Sequence, residues 1–164
     1  TVGDARLALG HRLGEWALAA ADQAATFARM DRPTPRVALG LALRGLAHAA
    51  IDVSDGLLAD LGHILRRSGV GATVDADACP TSAALRAQPL QRRRLCQLAG
   101  GDDYELLFTA PPAARDAVQA AAAQAATAVT RIGRIEAQQG LRLVDADGQV
   151  LDNVYAGFDH FRTA

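Results

Sequence analysis

Two short acidic motifs carry the residues most able to do chemistry in this sequence. The first is Ile51-Asp-Val-Ser-Asp-Gly-Leu57, in which the carboxylates of Asp52 and Asp55 lie three residues apart with the hydroxyl of Ser54 between them. The second is Gly100-Gly-Asp-Asp-Tyr-Glu-Leu106. Carboxylate oxygens are ligands that Mg²⁺ prefers, and Mg²⁺ in turn binds phosphate oxygens. Together, the two motifs indicate a magnesium–phosphate site.

Each motif also has a purely structural interpretation. Ser54 or Asp55 would cap a helix that begins just after them, with a side-chain oxygen accepting from unpaired backbone N–H groups. The same helix N-terminus would favour an anion through its free N–H groups and its dipole. The second motif has the composition of a polar hairpin turn. The residues alone leave these alternatives open.

The elements around the motifs place them at the ends of strands. The apolar run 48–53 predicts a buried strand before the first motif. After it, apolar residues recur on one face of a helix that Gly69 would end. The residues on that face are Leu57, Leu58, Leu61, Ile64 and Leu65. The second motif leads into a predicted strand over 104–109, bounded by two prolines.

The remaining segments alternate between helical and strand patterns without a regular βαβ order. The helix predictions are one long helix over 4–30, a buried helix beginning near Pro35, short helices over 82–98 and a helix over 112–126. The strand predictions are 72–74, 128–135 and a hairpin over 141–151 that turns at Asp147-Gly148. This mixture favours an α+β fold, a mixed sheet with packed helices, over a doubly wound parallel fold.

Composition narrows the function classes. The chain has 164 residues, half of them hydrophobic, enough for one compact domain. A net charge of −1 argues against a nucleic acid or membrane recognised by bulk charge. All 17 basic residues are Arg, so this chain has no P-loop lysine and no lysine base.

The two cysteines fit no metal-ligand spacing and are predicted to be buried. With neither a signal peptide nor a long apolar run, we expect a cytoplasmic location.

The two motifs, about 45 residues apart, resemble the C-terminal half of the thiamine-monophosphate kinase family. That family belongs to the superfamily of aminoimidazole ribonucleotide synthetase, selenophosphate synthetase and the hydrogenase maturation factor HypE. The resemblance extends over nearly the whole chain. It includes the segments 1–5, 32–40, 131–135 and 157–161. It implies the fold of the aminoimidazole ribonucleotide synthetase C-terminal domain, a mixed sheet with helices that is partly ferredoxin-like.

The resemblance also implies an activity and roles for individual residues. The implied reaction is the ATP- and Mg²⁺-dependent phosphorylation of thiamine monophosphate to thiamine diphosphate. Asp52 and Asp55 match metal ligands, and Ser54 matches a contact to ATP. Asp102 matches a substrate contact at a position where the family usually has Glu. The side chain of Asp102 is one methylene shorter than that Glu. Phe158 matches an aromatic position beside the thiamine moiety.

We further expect that residues 1–164 are a single C-terminal domain of a longer kinase. In the family, an N-terminal domain holds most of the metal-binding carboxylates and pairs with a second subunit, so the resemblance implies a homodimer of the full-length protein. The chain alone is then expected to be inactive. Two alternatives remain: a related ATP-dependent synthetase of the selenophosphate synthetase or HypE type, and a non-catalytic small-molecule-binding module with the same fold.

Overall fold

The computed structural model describes residues 1–155, which contain both helices and strands. The helices are α1 (Asp4–Arg12), α2 (Ala20–Asp31), α3 (Val37–Ala42), α4 (Leu57–Ser68), α5 (Ala83–Arg86), α6 (Leu90–Ala99) and α7 (Arg115–Gln124), the last preceded by a 3₁₀ turn. The strands are β1 (Ala49–Asp52), β2 (Gly71–Asp75), β3 (Leu106–Thr109), β4 (Gly133–Glu136), β5 (Gly140–Val144) and β6 (Val150–Leu151). The predicted α+β class, with helices packed on mixed strands, is confirmed.

Within residues 1–155 the strands form two sheets. Strands β1 and β3 make an antiparallel pair in which Asp52 lies opposite Leu106. The larger sheet has the order β4-β2-β5-β6, and only β2 and β5 run parallel. Its last two strands form the predicted hairpin, whose turn contains Gly148 at a φ of 77°. Short antiparallel ladders dominate, which is why no βαβ alternation is seen in the sequence.

Helix α4 connects the two sheets and forms the main core. Its five predicted apolar residues are all buried. Four of them, all except Ile64, belong to one cluster with β2, Val53 and Leu98. Gly69 ends the helix in the left-handed conformation, at φ 68°, as the sequence predicts. A second hydrophobic cluster packs α3 against α7, and Leu106 and Phe108 of β3 pack against this cluster. The first acidic motif is therefore held between a packed strand pair and a packed helix.

The prediction of one helix over residues 4–30 is wrong. The chain breaks after α1, with Gly14 at φ 75°, and Trp16 folds back over α1. The indole lies where a Cβ on Gly10 would be, and its Nε1 donates to the Leu7 carbonyl oxygen at 2.9 Å. Because Trp16 occupies the gap left by Gly10, α2 can return beside α1.

The predicted burial of α3 and β1 is only partly correct. Leu39 on α3 is buried, but Val37 and Leu41 are 62% and 60% exposed. In β1, Ile51 is half-buried, whereas Asp52 is exposed. These elements are covered on one face only, so a uniformly apolar composition overstates their burial. Within residues 1–155, no helix combines the length and hydropathy that crossing a membrane requires.

Candidate functional site

The structure brings the two acidic motifs side by side. Beyond the β1–β3 pair, the Val53 N–H donates to the carbonyl oxygen of Glu105 at 2.8 Å. The Tyr104 N–H donates to the Val53 carbonyl oxygen at 2.9 Å, and the Asp102 N–H donates to that of Ser54 at 3.0 Å. The two loops are therefore joined backbone to backbone, just before α4 begins.

Glycines make this close approach possible. A Cβ on Gly101 would lie 2.1 Å from the carbonyl oxygen of Ser54, a contact that no side chain could tolerate. Gly56 has a φ of 126°, and a Cβ there would lie 2.8 Å from the carbonyl oxygen of Ala99. Only glycine fits both positions without moving the backbone.

Asp52 and Asp55 lie at the junction of the two loops. Asp52 is exposed and lines a cavity of about 490 Å³, together with Tyr104 and the prolines before α3. Ser54 and Asp55 are half-buried in the loop. Within residues 1–155, no group of three or more His, Cys, Asp or Glu side chains is arranged to hold a metal ion. Mg²⁺ that binds phosphates usually takes one or two protein carboxylates, so Asp52 and Asp55 have the residue type that it needs. Their role as metal ligands stays a prediction.

The predicted cap of α4 is wrong, because Gly56 occupies the N-cap position without a side-chain acceptor. Instead, the carboxylate of Asp60 turns back from the first turn of the helix. Its Oδ2 accepts the N–H groups of Ser54, Asp55 and Gly56 at 3.0, 3.1 and 3.2 Å. Burial raises the pKa of Asp60 above its ordinary value, although these hydrogen bonds act in the opposite direction. The amides of Ser54, Asp55 and Gly56, just before the first turn of α4, are therefore already bound to a carboxylate of the protein.

The second loop has an unusual backbone. Asp102 and Tyr104 have φ angles of 65° and 49°, in the left-handed region that non-glycine residues seldom occupy. Asp102 is exposed and lies beside Ser54, where its backbone N–H is bound. Such strained backbone is often found at functional sites. The role of Asp102 as a substrate contact stays a prediction, and Phe158 lies outside the described residues.

Asp103 is a buried residue of the site that the sequence analysis did not single out. It is 1% exposed and accepts the N–H group of Ala5 at 3.1 Å and that of Gly3. Burial raises the pKa of Asp103 to about 7, against the opposing effect of these two hydrogen bonds. Since the N-cap residue of α1, Gly3, has no side chain, Asp103 supplies the cap of α1 and fastens the second loop to it.

Glu105 is a second residue that the sequence analysis missed. Arg36 holds it through two hydrogen bonds of 2.8 Å, and Arg29 also donates to it. Partial burial opposes ionisation of Glu105. The hydrogen bonds from Arg36 and Arg29, together with the positive charges of the amino terminus and Arg36, outweigh it, and the pKa is lowered from its ordinary value. The ion cluster ties the second loop to α2 and to the start of α3. The oppositely charged partners lie about 70 residues apart in sequence, so no local pattern reveals them.

The cysteines take no part in this site. Cys79 and Cys96 are both buried, as predicted. Burial raises the pKa of each thiol to about 12, so each stays protonated at neutral pH. A protonated, inaccessible thiol is a poor nucleophile and a poor metal ligand.

Residues 8–146 match the family described as AIR synthase related protein, C-terminal domain. The chain belongs to this family. It is 47% identical over 134 residues to the thiamine-monophosphate kinase of Salmonella typhimurium, a match that covers 80% of this chain and 41% of that protein. It is 44% identical over 135 residues to the thiamine-monophosphate kinase of Escherichia coli K12, with the same coverage.

Solved structures of family members have the same fold as this chain. The crystal structure of thiamine-monophosphate kinase from Stenotrophomonas maltophilia superposes with a TM-score of 0.82 at 50% identity, over 92% of this chain and 49% of that one. AaThiL in complex with AMPPCP and TMP superposes with a TM-score of 0.75 at 30% identity, over 98% of this chain and 49% of that one. The chain thus spans less than half the length of each of these relatives. Escherichia coli HypE, at 19% identity and a TM-score of 0.66, shares the fold.

Proposed function

We propose that this chain is the C-terminal domain of a thiamine-monophosphate kinase, which transfers the γ-phosphoryl group of ATP to thiamine monophosphate. The observation that carries the proposal is the junction of the two acidic motifs, where Asp52 and Asp55 adjoin the strained loop around Asp102. Identities of 44–50% to proteins named for this activity support it, as does the similarity to a structure that holds AMPPCP and TMP.

The reaction joins a terminal phosphate oxygen of thiamine monophosphate to the γ-phosphorus of ATP and breaks the bond to ADP. The acceptor needs no strong general base, because a phosphate monoester is largely ionised at neutral pH. The main task of the protein is to position the anionic groups and offset their charge. Asp52 and Asp55 would hold Mg²⁺, which would supply positive charge to offset that of the phosphate groups.

Residues of this chain take distinct parts in the proposal. Asp52 and Asp55 supply carboxylate oxygens to Mg²⁺, and Ser54 contacts ATP. Asp102 and Phe158 contact thiamine monophosphate, the first through its carboxylate and the second through its ring. A chain without lysine suits this arrangement. In a P-loop enzyme, a lysine supplies part of the positive charge beside the phosphates, whereas here carboxylates would recruit a metal cation for that purpose.

The remaining parts of the site are proposed to lie outside this chain. More than half of the length of each compared relative has no counterpart here. We therefore propose an upstream domain that completes the metal site and forms a homodimer. A synthetase of the HypE type remains the second candidate, but its support is the shared fold at 19% identity. A cytoplasmic location stays a prediction of the sequence.

Product analysis of the full-length protein tests the proposal. Incubation with ATP, Mg²⁺ and thiamine monophosphate should yield thiamine diphosphate and ADP in equal amounts, identified by mass spectrometry. The 164-residue chain under the same conditions should yield neither product. Absence of thiamine diphosphate with the full-length protein, or ATP consumption that ignores thiamine monophosphate, would overturn the proposed activity. Product from the isolated chain would overturn its dependence on an upstream domain.

A further inference from the structure

Asp60 fills the inside of the loop that carries the proposed metal ligands. Asp60 is only 2% exposed. One oxygen of its side chain, Oδ2, accepts hydrogen bonds from three consecutive backbone N–H groups, those of residues 54–56. Three convergent N–H groups at a helix N-terminus form a strong anion site. In this protein the anion comes from the first turn of α4 itself.

This arrangement has two consequences for the loop. The three peptide units cannot rotate independently, because each would lose its hydrogen bond to a buried charge. The amides of residues 54–56 are also closed to phosphate, since they are already bound to Asp60. The rest of the loop is held by the Tyr104 and Asp102 amides, which bind the carbonyl oxygens of Val53 and Ser54. Asp60 thus holds the backbone N–H groups of residues 54–56 in place.

We propose that Asp60 is a positioning residue that sets the affinity of the loop for divalent metal by fixing the backbone of Ser54, Asp55 and Gly56. The inference rests on the proposed function, in which Asp55 is a metal ligand. Asp60 acts through the loop backbone, because its oxygen is bound to the amides of that loop. Groups that orient metal ligands typically contribute about 10–100-fold to metal affinity or activity.

The test uses the full-length protein with AMPPCP and Mn²⁺, titrated and followed by electron paramagnetic resonance, so that no turnover is required. Asp60→Ala should bind Mn²⁺ about 10–100-fold more weakly than the parent. Asp60→Asn, which keeps one acceptor oxygen, should lose less. Asp116→Asn is the matched control, because Asp116 lies in the first turn of α7 and is exposed. It should bind Mn²⁺ as the parent does.

Amide hydrogen exchange of residues 54–56 provides the second readout, and it should be faster in both Asp60 variants. A folded Asp60→Ala protein with the Mn²⁺ affinity of the parent would overturn the inference. Should Asp60→Ala fail to fold, Asp60→Asn decides: unchanged exchange and unchanged Mn²⁺ affinity would overturn it as well.

An Asp55→Asn variant in the same titration separates the two proposals. Weaker Mn²⁺ binding by Asp55→Asn together with unchanged binding by Asp60→Ala would refute only the role of Asp60. Unchanged binding by Asp55→Asn would refute the metal assignment in the proposed function, and the inference about Asp60 with it.

Discussion

Replacing Gly101 by alanine tests whether the two acidic motifs pack backbone against backbone. The added Cβ would lie 2.1 Å from the carbonyl oxygen of Ser54 and 2.9 Å from its carbonyl carbon, whereas ordinary contacts begin at 3.4 Å. Both neighbours are backbone atoms, so no rotation of a side chain can relieve the contact. The two loops would have to separate by more than 1 Å.

Separation breaks the hydrogen bond from the Asp102 N–H to the Ser54 carbonyl oxygen, now 3.0 Å long. One such bond contributes about 0.5–1.5 kcal/mol, and overpacking at a close contact costs about 1–3 kcal/mol. Gly101→Ala should therefore lower the free energy of unfolding by about 2–4 kcal/mol. Since the loops carry the proposed ligands, kinase activity of the full-length protein should fall with it.

Urea denaturation, followed by circular dichroism, measures this change, and Gly62→Ala is the matched control. Gly62 lies within α4, where an added Cβ meets only the guanidinium end of Arg66, at 3.1 Å. Neither Gly62 nor Gly101 has a positive φ, so the two substitutions differ in the space around them. The control should leave the protein as stable as the parent or stabilise it by up to about 1 kcal/mol. A Gly101→Ala protein with the midpoint of the parent would refute the packing of the loops.

Two further predictions concern Asp103 and Glu105 of the second loop. Because burial raises the pKa of Asp103 to about 7, above its unfolded value of about 3.9, its contribution to stability is present below pH 4 and is lost as the pH rises to 7. Asp103→Asn should remove this pH dependence, which is at most about 1.4 kcal/mol of unfolding free energy per pH unit. Denaturation curves at a series of pH values measure it, and the same dependence of the unfolding free energy on pH in both proteins would contradict the prediction. Glu105→Gln should destabilise the protein at pH 7 by about 1–3 kcal/mol, between the values for exposed and buried ion pairs. This loss should shrink as the pH falls through the lowered pKa of Glu105, and it should exceed that of Glu136→Gln, whose ion pairs are more exposed.

Local patterns predicted the elements that local interactions determine. The 3.6-residue spacing of leucines identified α4 with its buried face, and the Asp147-Gly148 turn identified the hairpin of β5 and β6. The break between α1 and α2 was missed because the apolar spacing continues through Leu13 and Trp16. Only the three-dimensional packing of Trp16 over α1 reveals that the chain turns there.

The position of the candidate site could be predicted in part, and the roles assigned to its residues stay predictions. Residue types and spacing identified Asp52 and Asp55, and the structure places them where a strand meets a helix, beside the second motif. The same reasoning assigned the cap of α4 to Ser54 or Asp55 and missed Asp60 and Asp103. Those two buried carboxylates accept from backbone N–H groups, which every residue except proline can supply. Their roles therefore leave no mark in residue type, and they become visible only once the chain is folded.

The Mg²⁺ dependence of thiamine diphosphate formation by the full-length protein, measured for the parent and for Asp52→Asn, tests whether this loop is the magnesium site. The parent should require Mg²⁺. The variant, with one carboxylate ligand removed, should need at least about tenfold more Mg²⁺ for half-maximal rate or turn over at least about tenfold more slowly. An Asp52→Asn protein with the Mg²⁺ requirement and rate of the parent would contradict the assignment of this loop as the magnesium site.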